Sequence, residues 1–263
     1  MDPVLIRDVF ARMYPIGDRE VHLWVASLEG SKENAQNYRE LLSAEEKERA
    51  SKYVFERDRL HFVLCRGILR ELLGGYLSLP GKSIEISCGL RGKPVLAGPV
   101  QNDLRFNLSH SHGFAVFAFS IGQELGVDAE HIREDVEAEE IAQRYFSIEE
   151  RAELSRLEGA DKAKGFFLCW TRKEAYLKAR GDGLATPLDS FSVTLTPDAP
   201  ARLVSEDADR WSLHSLELAK GWAAALVVQG TAARILTREH SSTAGAGDGN
   251  IRRRNSVNSS DIQ

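Results

Sequence analysis

The chain has 263 residues, 43% of them hydrophobic and 28% charged, enough for one large domain or two small ones with real cores. A formal net charge of −5 argues against general nucleic-acid binding, which draws on a strong basic excess, but leaves room for a local basic pocket around a phosphorylated ligand. Three cysteines, Cys65, Cys88 and Cys169, match neither a disulfide framework nor a zinc spacing, and they predict small buried side chains in a reducing cytoplasm.

Asp2, Arg7 and Asp8 interrupt the first apolar stretch, unlike a signal peptide. No run of about 18 apolar residues predicts a membrane span. Val21 to Leu28 alternates as a strand. Ser43-Ala-Glu-Glu46 reads as a helix start, with Ser43 as N-cap and Glu46 as its capping-box partner. A long helix is expected around Leu60 to Leu73, ended by Gly74 and Gly75. A strand at Ser83 to Ser87 and a Gly-Lys-Pro turn at Gly92 to Pro94 follow. Apolar strands are then predicted at Arg105–Leu108, Phe114–Ile121 and Leu125–Glu130. Beyond them come a helix at Phe166–Arg180, ended by Gly181 and Gly183, and strands at Phe191–Leu195, Trp211–Leu218 and Trp222–Val228.

The later elements repeat the order of the earlier ones. Phe62-Val-Leu-Cys65 matches Phe166-Phe-Leu-Cys169 at an offset of 104, and Gly113-Phe-Ala-Val116 matches Gly221-Trp-Ala-Ala224 at 108. The shared order predicts an α+β fold of two pseudo-symmetric halves, 1–122 and 123–239. From residue 240 to 263 the chain is rich in Ser, Thr, Ala, Gly and Asn around Arg252, Arg253 and Arg254, the composition of a disordered tail.

Several groupings could carry chemistry. Asp128 and Glu130 lie two apart on a strand and project to one face. Two such acids suit a hard cation with oxygen ligands; they equally suit a half-exposed strand with solvated acids. Glu174 and Lys178 share a helix face, as a surface ion pair or as a metal ligand beside a phosphate-binding cation. Asn107, Ser109 and His110 end an apolar strand with groups able to meet phosphate oxygens. Arg91-Gly-Lys-Pro94 reads either as an exposed turn or as a close approach to a ligand with Lys93 supplying charge. Lys47-Glu-Arg49 and Lys52 to Asp58 form a basic stretch that reads as a solvated helical face.

Together, FNLSHS at Phe106–Ser111, GVDAE at Gly126–Glu130 and WTRKEAYLKARGDGL at Trp170–Leu184 resemble the Sfp-type 4′-phosphopantetheinyl transferases, with RGKP at Arg91 and KYVFERD at Lys52 in support. The resemblance covers roughly Ala44 to Val193. It implies two halves, each a small antiparallel sheet packed on a long helix, with the active site between them. It implies Mg2+ held by Asp128, Glu130 and Glu174, and coenzyme A phosphates held by Arg49, Lys93, Ser109, His110 and Lys178. Arg91, Gly92 and Pro94 would shape the adenosine pocket. Glu174 and Lys178 become the catalytic pair, with Glu174, or a water it orients, as base. The expected partner is an apo acyl or peptidyl carrier protein of fatty-acid, polyketide or peptide synthesis, met by a cytoplasmic monomer with no nucleic-acid or membrane partner. A Mg-dependent phosphohydrolase and a non-catalytic coenzyme A or carrier-binding module are the competing readings.

Overall fold

The computed structural model describes residues 13–29, 32–89, 92–97, 103–181, 183–232 and 234–240. The expected tail from 241 onward, Arg252 to Arg254 and Arg91 lie outside the described residues.

The chain runs twice through one sequence of elements. The first pass is β1 (Glu20–Ser27), α1 (Lys32–Leu41), α2 (Ala44–Ser51), α3 (Glu56–Leu77), β2 (Ile86–Cys88), β3 (Pro94–Leu96), β4 (Leu104–Ser111) and β5 (Phe114–Ile121). The second is β6 (Leu125–His131), α4 (Ala138–Tyr145), α5 (Ile148–Leu154), α6 (Gly159–Arg180), β7 (Ser192–Val193), β8 (Leu203–Val204), β9 (Trp211–Ser215) and β10 (Trp222–Gln229). A last strand, β11 (Arg234–His240), follows. The strand orders are β11-β1-β5-β4 and β6-β10-β9. All pairs in these two sheets are antiparallel except β1 with β11.

Period-two alternation stacks the layers. Val21, Leu23, Val116 and Ala118 of the first sheet meet Leu125, Val127, Ala224 and Leu226 of the second, making a core between the sheets. The opposite faces carry Trp24, Phe117 and Phe119 against α3, and Ala223, Ala225 and Val227 against α6. The order is therefore helix, sheet, sheet, helix, and each fully buried large side chain contributes roughly 1.5–3 kcal/mol.

Both halves share a second device that the repeat did not reveal. The α2 capping box joins Ser43 and Glu46, and the α5 capping box joins Ser147 and Glu150. Each glutamate then meets a cation from the long helix: Arg70 Nε lies 2.6 Å from Glu46 Oε2, and Lys173 Nζ lies 2.8 Å from Glu150 Oε2. Arg70 also donates to the carbonyls of Gly81 and Ile84, and Lys173 to those of Leu188 and Phe191.

Three expectations need correction. Gly74 and Gly75 do not end α3, which continues to Leu77 with a left-handed Ser78 as its cap. They are glycines because a Cβ at Gly74 would stand 2.7 Å from the Leu79 carbonyl oxygen, and one at Gly75 would stand 2.4 Å from the Tyr14 ring. The basic stretch is not one helix; it breaks at Lys52–Phe55 between α2 and α3. Residues 234–239 were grouped with the second half and His240 with the tail, yet β11 pairs along β1 of the first sheet. There Arg238 lies over the Trp24 ring at 5.4 Å, and His240 sits 3.4 Å from Glu71.

Candidate active site

Strand β6 turns Leu125, Val127 and Ala129 into the inter-sheet core, so Gly126, Asp128 and Glu130 face α6. Gly126 lets the helix lie close: a Cβ there would stand 2.2 Å from the Ala175 carbonyl oxygen and 2.3 Å from the Ala179 nitrogen. That approach brings Lys178 Nζ to within 2.7 Å of Asp128 Oδ1 and 3.2 Å of the Val127 carbonyl. Glu174 lies one turn earlier on the same helix face.

Strand β4 closes the other side through alternate side chains. Asn107 Oδ1 accepts the Val127 N–H at 2.9 Å. Ser109 Oγ donates to Asp128 Oδ1 at 2.7 Å, and Ser111 Oγ to Glu130 Oε2 at 2.5 Å. Asp128 is 4% exposed, and its second oxygen, Oδ2, is buried with no hydrogen-bond partner. An unsatisfied buried carboxylate oxygen costs about 1–3 kcal/mol or more.

The carboxylates act on one another. Burial raises the Glu174 pKa, and the charges of Asp128 and Glu130 push it the same way against Lys178. Burial also raises that of Glu130, with Asp128 adding to the shift and the Ser111 bond opposing it. Among the described residues no group of three His, Cys, Asp or Glu side chains stands in a metal-holding arrangement. As they stand, Lys178 and Ser109 occupy Asp128 Oδ1, and Ser111 occupies Glu130 Oε2.

A cationic cluster adjoins the acids. His110 keeps an exposed surface, yet the protein around its ring lowers its pKa, and the charges of Lys178, His61, Arg66 and Arg49 lower it further. Arg49 lies over the Phe62 ring at 5.4 Å. Lys93 sits farther along β6, where Nζ meets Glu124 Oε2 at 3.1 Å, the Leu125 carbonyl at 3.2 Å and the Ala179 carbonyl at 3.4 Å. Gly92 has φ of 86° in the β2–β3 turn, and Pro94 pairs with Cys88.

The structure thus gathers Asp128, Glu130, Glu174, Lys178, Ser109, His110 and Arg49, and sets Lys93, Gly92 and Pro94 toward the start of β6. The hydroxyl proton of Ser109 is given to Asp128. Asn107, read from the sequence as a group able to meet phosphate, accepts the Val127 N–H through its Oδ1. Ser111, His61 and Arg66 carry no motif signal of their own, and the period-two spacing of 107, 109 and 111 is what the sequence offers for Ser111.

Two family models match. One described as "4′-phosphopantetheinyl transferase superfamily" covers residues 124–227, and one described as "4′-phosphopantetheinyl transferase, N-terminal" covers residues 27–121. The 4′-phosphopantetheinyl transferase HetI of Nostoc sp. is 39% identical over 212 residues, 80% of this chain and 88% of that protein. The 4′-phosphopantetheinyl transferase Sfp of Bacillus subtilis is 30% identical over 178 residues, 68% of this chain and 77% of that protein. Among solved structures, the holo-[acyl-carrier-protein] synthase of Thermotoga maritima aligns with a TM-score of 0.33 at 23% identity, over 41% of this chain and 63% of that chain. The chain belongs to the 4′-phosphopantetheinyl transferase family. No helix among the described residues is long and apolar enough to cross a membrane.

Proposed function

We propose that the chain transfers the 4′-phosphopantetheine group of coenzyme A to a serine of an apo acyl or peptidyl carrier protein, releasing 3′,5′-ADP, with Mg2+ held by Asp128, Glu130 and Glu174. The observation that carries this reading is the orphaned Asp128 Oδ2 among three mutually repelling carboxyls, beside the cations Lys178 and Arg49 and the imidazole of His110. An all-oxygen donor set with an unpartnered buried carboxylate oxygen fits a hard divalent cation. Such an ion supplies neutralisation of pyrophosphate charge and polarisation of the phosphoryl group.

The chain's own residues do the rest. Lys178, with its ammonium at the Asp128 edge, is placed to bind the pyrophosphate and offset charge on the departing nucleotide. His110, lowered in pKa, stays neutral near pH 7 and binds phosphate as a hydrogen-bond donor, with Arg49 supplying full charge. Lys93, Gly92 and Pro94 shape the nucleotide end. Glu174, or a water it orients, is placed to accept the proton of the incoming serine hydroxyl, at a carboxylate oxygen or at that water.

The test mixes the protein with coenzyme A, Mg2+ and a panel of apo carriers. Mass spectrometry should find about 340 Da added to one serine of at least one carrier, the mass of the arm. Release of free phosphate from simple esters with no carrier modified would replace this reading with a hydrolase.

A further inference from the structure

Two imidazoles lie beyond the carboxylates, and the reaction as drawn uses neither. His112 and Gly113, with φ of 41° and 76°, make the two-residue turn from β4 to β5 between the paired Ser111 and Phe114, a hairpin geometry with positive φ at both central residues that fixes where the His112 side chain starts. His131 follows Glu130. The two rings stack with centroids 5.2 Å apart and planes at 29°, and His131 meets Trp222 edge-on at 5.5 Å. His112 Nδ1 lies 3.0 Å from Ser111 Oγ, whose hydroxyl reaches Glu130 Oε2 at 2.5 Å.

Counting protons gives this chain a direction. A serine hydroxyl has one proton. With Glu130 ionised, that proton goes to Oε2, so Ser111 Oγ is left as an acceptor toward His112. The imidazole must then carry its proton on Nδ1. The stack on His131 holds the ring plane, and the β4–β5 turn holds its base.

We infer that His112 is a positioning residue: its Nδ1–H fixes the Ser111 hydroxyl, and that hydroxyl holds the Glu130 carboxylate in its orientation beside Asp128. Ser111, bonded directly to the carboxylate, is a partner of the kind typically worth about 10–100-fold in metal affinity or activity; His112 acts through it, one bond farther out, so its removal belongs at the low end of that range. The link from Glu130 to metal and turnover rests on the proposed function; the proton arrangement itself does not.

Nitrogen-15 NMR of the full chain reads the arrangement directly. The Nδ1–H tautomer of His112 should dominate in the wild type and be lost in Ser111→Ala. An Nε2–H tautomer in the wild type overturns the inference. Mn2+ serves as the calorimetric probe. His112→Gly, which suits the positive φ, should weaken Mn2+ binding about tenfold while the melting midpoint stays within a few degrees. His112→Asn tolerates the same backbone and keeps an amide donor, and it should recover part of the loss. In a Ser111→Ala background His112→Gly should add nothing. Unchanged Mn2+ affinity in His112→Gly, or independent addition of the two losses, overturns the inference. In the transfer assay kcat should fall about tenfold at unchanged KM for coenzyme A; a change in KM alone counts against His112. A wild-type protein that modifies no carrier removes the proposed function, while the tautomer still decides the role of His112.

Discussion

The two halves share a skeleton and differ in what they do with it. Both pair a capping-box glutamate with a cation from a 22-residue helix, and both lay that helix on a three-strand antiparallel unit, β1-β5-β4 or β6-β10-β9. The registers align the halves residue by residue. Trp24 faces Phe117 as Asp128 faces Ala225, and Ala26 faces Ala115 as Glu130 faces Ala223. Where β6 carries two acids, β1 carries an indole and a methyl. The free edges differ as well: β11 pairs along β1, whereas β6 looks onto Asn107, Ser109 and Ser111 of β4. The duplicated frame supplies stability twice and polar convergence once.

The shared device is the place to break the comparison hardest. Glu150 and Lys173 are each 1% exposed in their side chains, whereas Glu46 is 10% exposed and has Arg66 as well as Arg70 nearby. Removing one member of a buried pair costs about 3–5 kcal/mol. Glu150→Gln should reach that range in urea unfolding, and Glu46→Gln should lose clearly less because Glu46 itself is the more exposed carboxylate and one of its two cations, Arg66, is 14% exposed. Equal losses would mean that the two pairs are energetically the same despite their different burial.

The strands should separate function from stability. Asp128→Ala should cut transfer roughly a hundredfold or more in a protein that remains folded by circular dichroism. Trp24→Ala removes a side chain 3% exposed whose Nε1–H donates to the Tyr76 hydroxyl at 2.9 Å. It should destabilise by about 3–5 kcal/mol and leave kcat of the folded fraction near normal. If Asp128→Ala kept its turnover at saturating Mg2+, the second half would have no special claim to the chemistry.

A third contrast lies one step along the same strands, where the register sets His22 against Phe119 as it sets Gly126 against Val227. Gly126 admits α6 closely; His22 instead meets the Tyr76 hydroxyl of α3 at 2.7 Å. His22 is fully buried. Burial holds its pKa at about 4, helped by the positive charges of Arg238 and Arg234 and opposed by Glu20. The folded value lies below the ordinary one, so below pH 6.5 the unfolded chain binds more protons. Stability is therefore full above that pH and is lost as pH falls toward about 4, by on the order of 3 kcal/mol. Urea midpoints measured from pH 7 to 4 should drop in the wild type and drop less in His22→Gln; parallel curves would remove His22 as the cause.

Sequence made the local signals of this molecule readable and left the long-range ones hidden. The Ser43–Glu46 box, the Gly181 cap and the shared face of Asp128 and Glu130 follow from spacing over four residues or fewer, and all three stand in the structure. Gly74 and Gly75 looked like a helix end because the sequence does not show Tyr14 and Leu79 pressing on that turn. Strand β11 was invisible as a member of the first sheet, since its partner β1 is some 200 residues earlier. Asp128 and Glu130 gain their setting only when β4 arrives with Ser109 and Ser111. The His61–Arg66–Arg49 cluster likewise depends on the packing of α2 and α3 beside His110.

The smallest test compares the two helix ends. Both caps are left-handed, Ser78 at φ 56° and Gly181 at φ 74°, and each cap N–H bonds back to a carbonyl of the last turn. Gly181→Ala puts a Cβ into that conformation and should cost about 1–2 kcal/mol. Ser78→Gly relieves the same cost at the other helix but gives up the contacts of the serine and adds freedom to the unfolded chain. Its net gain should be no more than about 1 kcal/mol. Thermal melts of the two single variants and the double variant should show opposite signs and simple additivity, because the two caps act on separate helices. A loss in Ser78→Gly as large as that in Gly181→Ala would show that the serine's own contacts, rather than backbone strain, decide the end of α3.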